Sequence, residues 1–270
     1  MVVPPERLPP RPGPLDALVG ALRVGATLAL AAVGAVAVAG AALVPWPSGR
    51  VRPAERVAVG LARACLAIAG VRRDVEGLDQ LRGHVGFVFF NHLSYLDPVV
   101  LVATAPMRFL STQGVRKLPF VGPIATALGT LYVDRGRGES RAAARDALRD
   151  AARRSPVPVA VAPEGRIGPG PDVLPFRHGA FEVASEAGAP VLLVALRFRP
   201  HAYVVWQDGE WVLRAYWRLC ARLAPVTASL HVIGPAPEGD GPAKRSERAE
   251  AAFNRYLGPT REQPHANVST

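Results

Sequence analysis

Cysteine is almost missing from this 270-residue chain: Cys65 and Cys220 stand far apart, in no Cys-x-x-Cys pair and no Cys/His cluster. That excludes a disulfide framework and a zinc site built from clustered ligands, and it is compatible with a reducing compartment. Lysine is scarce as well, so the formal charge of +10 rests on arginine. Such a surface attracts phosphates. No nucleic-acid-binding module accompanies the charge, so nucleic acid is not an expected partner and anionic lipids or a phosphorylated substrate are. A Gly-x-Ser-x-Gly elbow is also lacking, which leaves a serine acyl-enzyme of that type without a candidate. No internal repeat is visible.

Ionisable side chains are absent from residues 24–49, and residues 24–44 are almost wholly Ala, Val, Leu and Gly. About 20 apolar residues span a bilayer core, so this run is long enough for a membrane anchor. A cleavable signal peptide and a buried helix are the rival readings. The long charged leader, and an apolar run exceeding the usual ~7–15 residues of a signal, favour the anchor. Arginines are denser after residue 44 than before residue 24, which places the C-terminal bulk in the cytoplasm, at the cell membrane. A second apolar stretch, residues 57–71, is interrupted only by Arg63. Helical spacing puts Val57, Leu61, Cys65 and Ile68 on one face, as in a helix lying at the interface or packing back on the anchor.

Beyond residue 71, short Val-rich runs alternate with amphipathic segments. Strands are expected at 85–90, 108–111, 131–133, 157–161, 191–198 and 230–233. Helices are expected at 95–105, 121–128, 140–154, 179–186, 215–224 and 244–256. This is an α/β pattern: a mostly parallel sheet covered by helices, preceded by an N-terminal membrane-associated helical segment. Residues 204–212, with Asp208-Gly209 at their centre, read as an inserted hairpin. The expected organisation is a disordered Pro-rich leader (1–20), an anchor and interfacial helix (21–70), one large domain (71–262) and a disordered tail (263–270). In the helix at 140–154, Arg141, Arg145, Arg149, Arg153 and Arg154 share a face. A solvated helix face is the first reading of that row, and contact with anionic lipid the second.

Asn91 and His92 directly follow the strand at 85–90, where open α/β sheets bind ligands. Asp97 comes five residues later, across a turn. A carboxylate at that separation can reach back to one imidazole nitrogen, fix its tautomer and raise its basicity. The other nitrogen is then free to take a proton from a hydroxyl. Taken alone the pair is a weak signal, and a helix N-terminus with an incidental histidine would look the same. Its company adds weight. Pro163-Glu164-Gly165-Arg166 follows the strand at 157–161 and leads through a Gly/Pro-rich loop to Phe176-Arg177-His178-Gly179. Arginine can fork onto phosphate, and glycine lets the backbone approach closely. Gly122-Pro123 precedes a further strand, which runs into Asp134-Arg135.

With these segments in hand the chain resembles the lysophospholipid acyltransferase family. Asn91, His92 and Asp97 match its Asn-His-x4-Asp motif. Gly122, Pro123 and Arg135 match the second region, Pro163-Glu164-Gly165 with Phe176, Arg177 and Gly179 the third, and Ala189-Pro190-Val191 the fourth. Three positions depart from the pattern. Arg166 stands where the family has Thr, Leu193 where a Pro is usual, and Ser111-Thr112-Gln113 where a Lys is common. The resemblance implies an enzyme that moves a fatty acyl group from acyl-CoA or acyl-carrier protein to the hydroxyl of a lysophospholipid, first of all 1-acylglycerol-3-phosphate. It implies His92 as general base and Asp97 as its orienting carboxylate. Asn91, Gly122, Arg135, Glu164, Gly165, Arg166 and Arg177 would be the substrate-binding residues, with no metal or redox cofactor. Membrane lipids, the acyl donor and the lyso-lipid acceptor would be the partners. Another acceptor such as a lyso-ornithine lipid, or a catalytically idle lipid-binding protein, remains an alternative.

Overall fold

The computed structural model describes residues 9–46, 51–134, 138–168, 173–207 and 209–258. It begins with a long helix, α1 (Pro14–Ala42). Pro14 occupies the first turn, where its missing N–H costs nothing, and Asp16 sits where the helix dipole favours a carboxylate. The helix thus starts inside the stretch expected to be unstructured up to residue 20, and that boundary is corrected to Pro14. Among the described residues it is the one helix long and apolar enough to cross a membrane.

One face of α1 is pressed against protein. An added Cβ at Gly20 would lie 2.8 Å from the Ala221 backbone, and at Gly34 2.7 Å from the Leu61 side chain. Arg23 donates to the carbonyls of Cys220 (3.2 Å) and Arg222 (2.6 Å), and the Thr27 hydroxyl lies 2.7 Å from that of Tyr216. Val38 packs with Ala54, Ala58 and Leu128. The other face, carrying Leu15, Leu18, Leu22, Val33 and Val36, is exposed.

Helix α2 (Pro53–Ile68) packs back on α1, the second of the two placements expected for it. Its fully buried stripe is Ala54, Ala58, Ala62 and Leu66, at i, i+4 spacing. Val57, Leu61, Cys65 and Ile68, the face anticipated from spacing, are only half-buried. Small alanines take the deepest stripe because the helix must approach both α1 and the body behind it.

Seven strands follow: β1 (Val71–Glu76), β2 (Phe87–Phe90), β3 (Arg108–Thr112), β4 (Leu131–Val133), β5 (Val159–Val161), β6 (Val191–Arg199) and β7 (Val226–Pro235). They form one sheet in the order β1-β7-β6-β2-β5-β3-β4, parallel throughout except where β6 meets β7. Alternation along β2 sends Val88 and Phe90 to one core, and Phe87 and Phe89 to the other. The first core packs against α2 and α4 (Asp97–Thr104). The second packs against α7 (Gly138–Arg154), α8 (His178–Ala187) and α10 (Pro242–Leu257). Burial on both faces is the reason the central strands read as unbroken apolar runs.

Three short elements and one long one complete the order. They are α3 (Leu78–Arg82), α5 (Gln113–Arg116), α6 (Val121–Ala127) and α9 (Val212–Cys220). The hairpin expected at residues 204–212 is not formed among the described residues. A 3-10 turn at His201–Tyr203 leads through a loop into α9. Val204 and Val205 are buried against the body, and Arg218 of α9 holds Glu210 and the Val205 carbonyl, so the segment is tied inward instead of pairing with itself. The arginine row of α7 is likewise tied down: Arg145 pairs with Glu182, Arg149 with Asp146 and Glu186, and Arg153 donates to the carbonyls of Glu186 and Ala187 at the end of α8. Those three tie α7 to α8.

Candidate active site

Strands β2 and β5 lie side by side in parallel register, with Phe87 opposite Val159 and Phe89 opposite Val161. Their C-terminal ends are therefore level, and the segments that follow, Asn91-His92 and Ala162-Pro163-Glu164, emerge at one edge of the sheet. The result is a direct bond: the His92 backbone N–H donates to Glu164 Oε1 at 2.6 Å. The Gly168 N–H donates in turn to the His92 carbonyl at 2.6 Å. The two loops are thus laced together around His92.

The turn after His92 is organised by Asp97. Its Oδ2 accepts from His92 Nδ1 at 2.8 Å and from the backbone N–H groups of Leu93 and Ser94 at 2.8 and 2.9 Å. Asp97 is fully buried at the first turn of α4. Burial pushes its carboxyl above the ordinary carboxylate range, opposed by the His92 bond and the two amides. Ser94 pins the same turn from beneath: its hydroxyl donates to the Val204 carbonyl at 2.9 Å and accepts from the Leu96 N–H. With Nδ1 bound to the carboxylate, the His92 ring presents Nε2 as its free nitrogen. The side chain remains 23% exposed while its partner is sealed off. A partly open imidazole backed by a buried carboxylate is the arrangement of a general base.

Asn91 is buried, and both of its amide atoms are committed to β6: Nδ2 donates to the Leu196 carbonyl at 2.9 Å, and Oδ1 accepts from the Leu196 N–H at 2.7 Å. Glu164 is buried too. While Oε1 takes the His92 amide, Oε2 takes the Leu174 N–H at 3.0 Å. The structure therefore gives these two residues a bracing position beneath the loops. Gly165 has φ +74° and sits under Arg177, whose Nε would be 3.0 Å from an added Cβ. Glu164, Arg166, Phe176 and Arg177 line a groove beside the His92 loop, with both arginines exposed. Gly122 stands apart from that groove, in the first turn of α6, where it packs against the end of α5. An added Cβ there would fall 2.1 Å from the Arg116 carbonyl oxygen, so its job is close packing. Arg135 lies outside the described residues.

His201 belongs to the site and was not anticipated. It follows the C-terminal end of β6, hence the same sheet edge, and its buried Nε2 has no hydrogen-bond partner among the described residues; burial pushes its imidazole below the usual value, opposed by the Leu93 backbone and the charge of Asp97. Its position after a strand parallel to β2 is the signal that could have found it. Neither cysteine offers a nucleophile: burial pushes the Cys220 thiol up to about 11 and raises that of Cys65.

Burial also pushes the Glu164 carboxyl up to about 7, against the pull of its two amide donors. The folded protein then holds a proton that the unfolded chain has released above the ordinary carboxylate range near 4.5. This contribution to stability is present in full at pH 4.5 and below, and is lost as pH rises through 7. Glu164→Gln, neutral at every pH, is expected to gain stability relative to the parent between pH 5 and pH 8, by on the order of 2–3 kcal/mol. Paired thermal or denaturant melts at the two pH values read it. A difference that does not change with pH contradicts the assignment.

Residues 72–197, which include every candidate site residue named above except His201, match the Acyltransferase family model. The chain is 28% identical over 144 residues to the 1-acyl-sn-glycerol-3-phosphate acyltransferase of Neisseria gonorrhoeae, covering 53% of this chain and 56% of that one. It is 35% identical over 121 residues to the lyso-ornithine lipid O-acyltransferase of Rhodobacter capsulatus, covering 45% and 42%. The chain thus spans about half the length of the curated relatives it matches. Among solved structures, the 1-acyl-sn-glycerophosphate acyltransferase of Thermotoga maritima superposes with a TM-score of 0.63 at 21% identity, over 90% of this chain and 93% of that one, a likeness of fold.

Proposed function

We propose that the Acyltransferase-family domain spanning residues 72–197 transfers a fatty acyl group from a thioester to the hydroxyl of a lysophospholipid. The observation that carries the reading is the 2.8 Å bond between His92 Nδ1 and the buried Asp97 carboxylate, beside an arginine-bearing groove. His92 Nε2 takes the proton of the acceptor hydroxyl as that oxygen attacks the thioester carbonyl. Asp97 steadies the imidazolium that forms. The C–S bond then breaks, the proton passes from His92 to the leaving thiolate, and a new ester remains on the lipid. The donor is acyl-CoA or acyl-carrier protein, both of which carry the acyl group as a thioester. Arg166 and Arg177 are the cations of the groove and meet the anionic head group. Asn91 and Glu164 act beneath it, holding the two loops in register.

The preferred acceptor is 1-acylglycerol-3-phosphate, in line with the printed activity of the Neisseria relative. A second reading, a lyso-ornithine lipid, is favoured by the 35% identity to the Rhodobacter protein and by Arg166 at the place of the family's threonine. The bare apolar stripe of α1 supports residence on the cell membrane, with the domain on the cytoplasmic side where acyl thioesters are made. Thiol release from an acyl thioester, measured on the full chain in detergent, separates these possibilities. Release accelerated by lysophosphatidic acid supports the first reading, and release accelerated by a lyso-ornithine lipid alone supports the second. If no lyso-lipid accelerates release, the proposal fails.

A further inference from the structure

We infer that α1 lies in the plane of the membrane, its bare side sunk in one leaflet, and does not cross the bilayer although its length would allow it. This placement rests on the membrane residence proposed above. Residues 24–44 are almost wholly apolar, on every side of the helix. A helix of that kind must be covered all round, by protein or by lipid.

Protein covers one side from end to end. Near the N-terminal end Gly20 meets Ala221, and Arg23 holds the Cys220 and Arg222 carbonyls. Further along, Gly34 meets Leu61 of α2, and Val38 packs with Ala54, Ala58 and Leu128. From residue 20 to residue 38 the helix rises about 27 Å, close to the ~30 Å thickness of a hydrocarbon core. Both ends of that span rest on the same α/β body. Arg222 donates to the Ala69 and Gly70 carbonyls at the start of β1, whereas Leu128 closes α6 ahead of β4. A crossing helix would therefore drag the body between these points into hydrocarbon. Edge strand β1 starts beside Arg23 and exposes Arg72, Arg73, Asp74 and Glu76; exposed Arg63 lies on α2 between Leu61 and Gly70. Neither an unpaired strand edge nor a row of charges survives in lipid. Laid flat, α1 keeps all of them out of it.

The uncovered side fits a fluid, not a folded partner. Residues 21, 22, 25, 26, 28 and 29 are all exposed. At 3.6 residues per turn they spread over about 160° of the circumference, wider than the seam that a second helix would cover. The bare side continues through Val36, 75% exposed, and Leu43, 84% exposed, to Trp46, whose ring lies under exposed Arg56 at 5.6 Å. An indole beneath a guanidinium belongs at the head-group boundary. Arg23 sits at the sheet edge where β6 ends, and Leu128 at the opposite edge, where Gly129 lies against Arg108 at the start of β3. The strands then run along the membrane, and the His92 edge opens sideways, level with the N-terminal half of α1.

The test places a fluorescent thiol label on the full chain at one site at a time, through Leu18→Cys, Ala29→Cys or Gly40→Cys. The three positions are exposed and share the bare side, each three turns from the next. Labelling conditions are those under which the parent, with Cys220 buried and Cys65 half-buried, takes no label. The proteins are floated with phosphatidylglycerol/phosphatidylcholine vesicles carrying spin-labelled lipids at graded depths. All three labels should be quenched most by the same shallow spin label, about 5–10 Å below the head groups. A crossing helix instead sets the first and last labels about 33 Å apart with Ala29 at the bilayer centre, which overturns the in-plane placement and leaves the acyl-transfer reading intact. Labels unquenched in a floating chain show a second copy or another protein over α1 and overturn it as well. A chain that does not float removes this placement together with the proposed membrane residence. Equal shallow depths in a chain without transferase activity uphold the placement and sink the catalytic reading.

Discussion

His92→Ala is expected to lower acyl transfer by about 10²–10⁴-fold, the usual loss when a positioned general base is removed. The fold is expected to survive this change. His92 contributes to the loop mainly through its backbone, whose N–H reaches Glu164 and whose carbonyl receives the Gly168 amide. Both bonds persist in alanine. Asp97 loses one donor but keeps the Leu93 and Ser94 amides, so the turn retains its shape. Initial rates of ester formation, beside a melt of the same preparation, separate lost chemistry from lost structure. Parent-like activity in the variant would leave an idle lipid-binding protein as the better description.

The second large effect is at Asp97, and the choice of substitution decides what is learned. Asp97→Ala would strand two buried amides at about 1–3 kcal/mol each and would confound activity with unfolding. Asp97→Asn is the informative change. Three donors converge on Oδ2, while Oδ1 is buried with no hydrogen-bond partner. The Asn amide will therefore turn its oxygen to the donors and its NH₂ to the other side. His92 keeps its tautomer, and what disappears is the negative charge behind the imidazolium. The expected loss is on the order of 10²-fold, typical of one electrostatic partner removed from a water-poor site, and smaller than that of His92→Ala. Equal losses for the two variants would mean that orientation, not charge, is the carboxylate's contribution.

The sheet was readable in the sequence where burial on both faces leaves apolar runs, as at β2, β5 and β6. It was hidden at β1, where Arg72, Arg73, Asp74 and Glu76 carry the edge strand beside β7. An edge strand with one solvated side needs only Val71 and Val75 to hold it, too few for a pattern. The site was legible as a set of residue types at strand ends, because parallel strands put their C-terminal ends on one edge. Which way each side chain turns was not legible. Glu164 and Asn91 stood among the expected substrate-binding residues; the level ends of β2 and β5 let Glu164 reach the His92 amide, and the extra length of β6 gives Asn91 the Leu196 backbone. That depends on register, which no local window contains. Asp208-Gly209 misled for a related reason: a hairpin signal describes the turn alone, and burial of Val204 and Val205 against the body outweighs it.

Direct transfer by His92, without an acyl-enzyme, is tested most sharply by a single turnover with a labelled acyl thioester. Parent protein mixed with the thioester alone should carry no covalent label. On addition of lyso-lipid the label should move straight to the new ester, and in His92→Ala it should stay on the thioester. Label accumulating on the protein before acceptor is added, or product forming at the parent rate in His92→Ala, would contradict the mechanism.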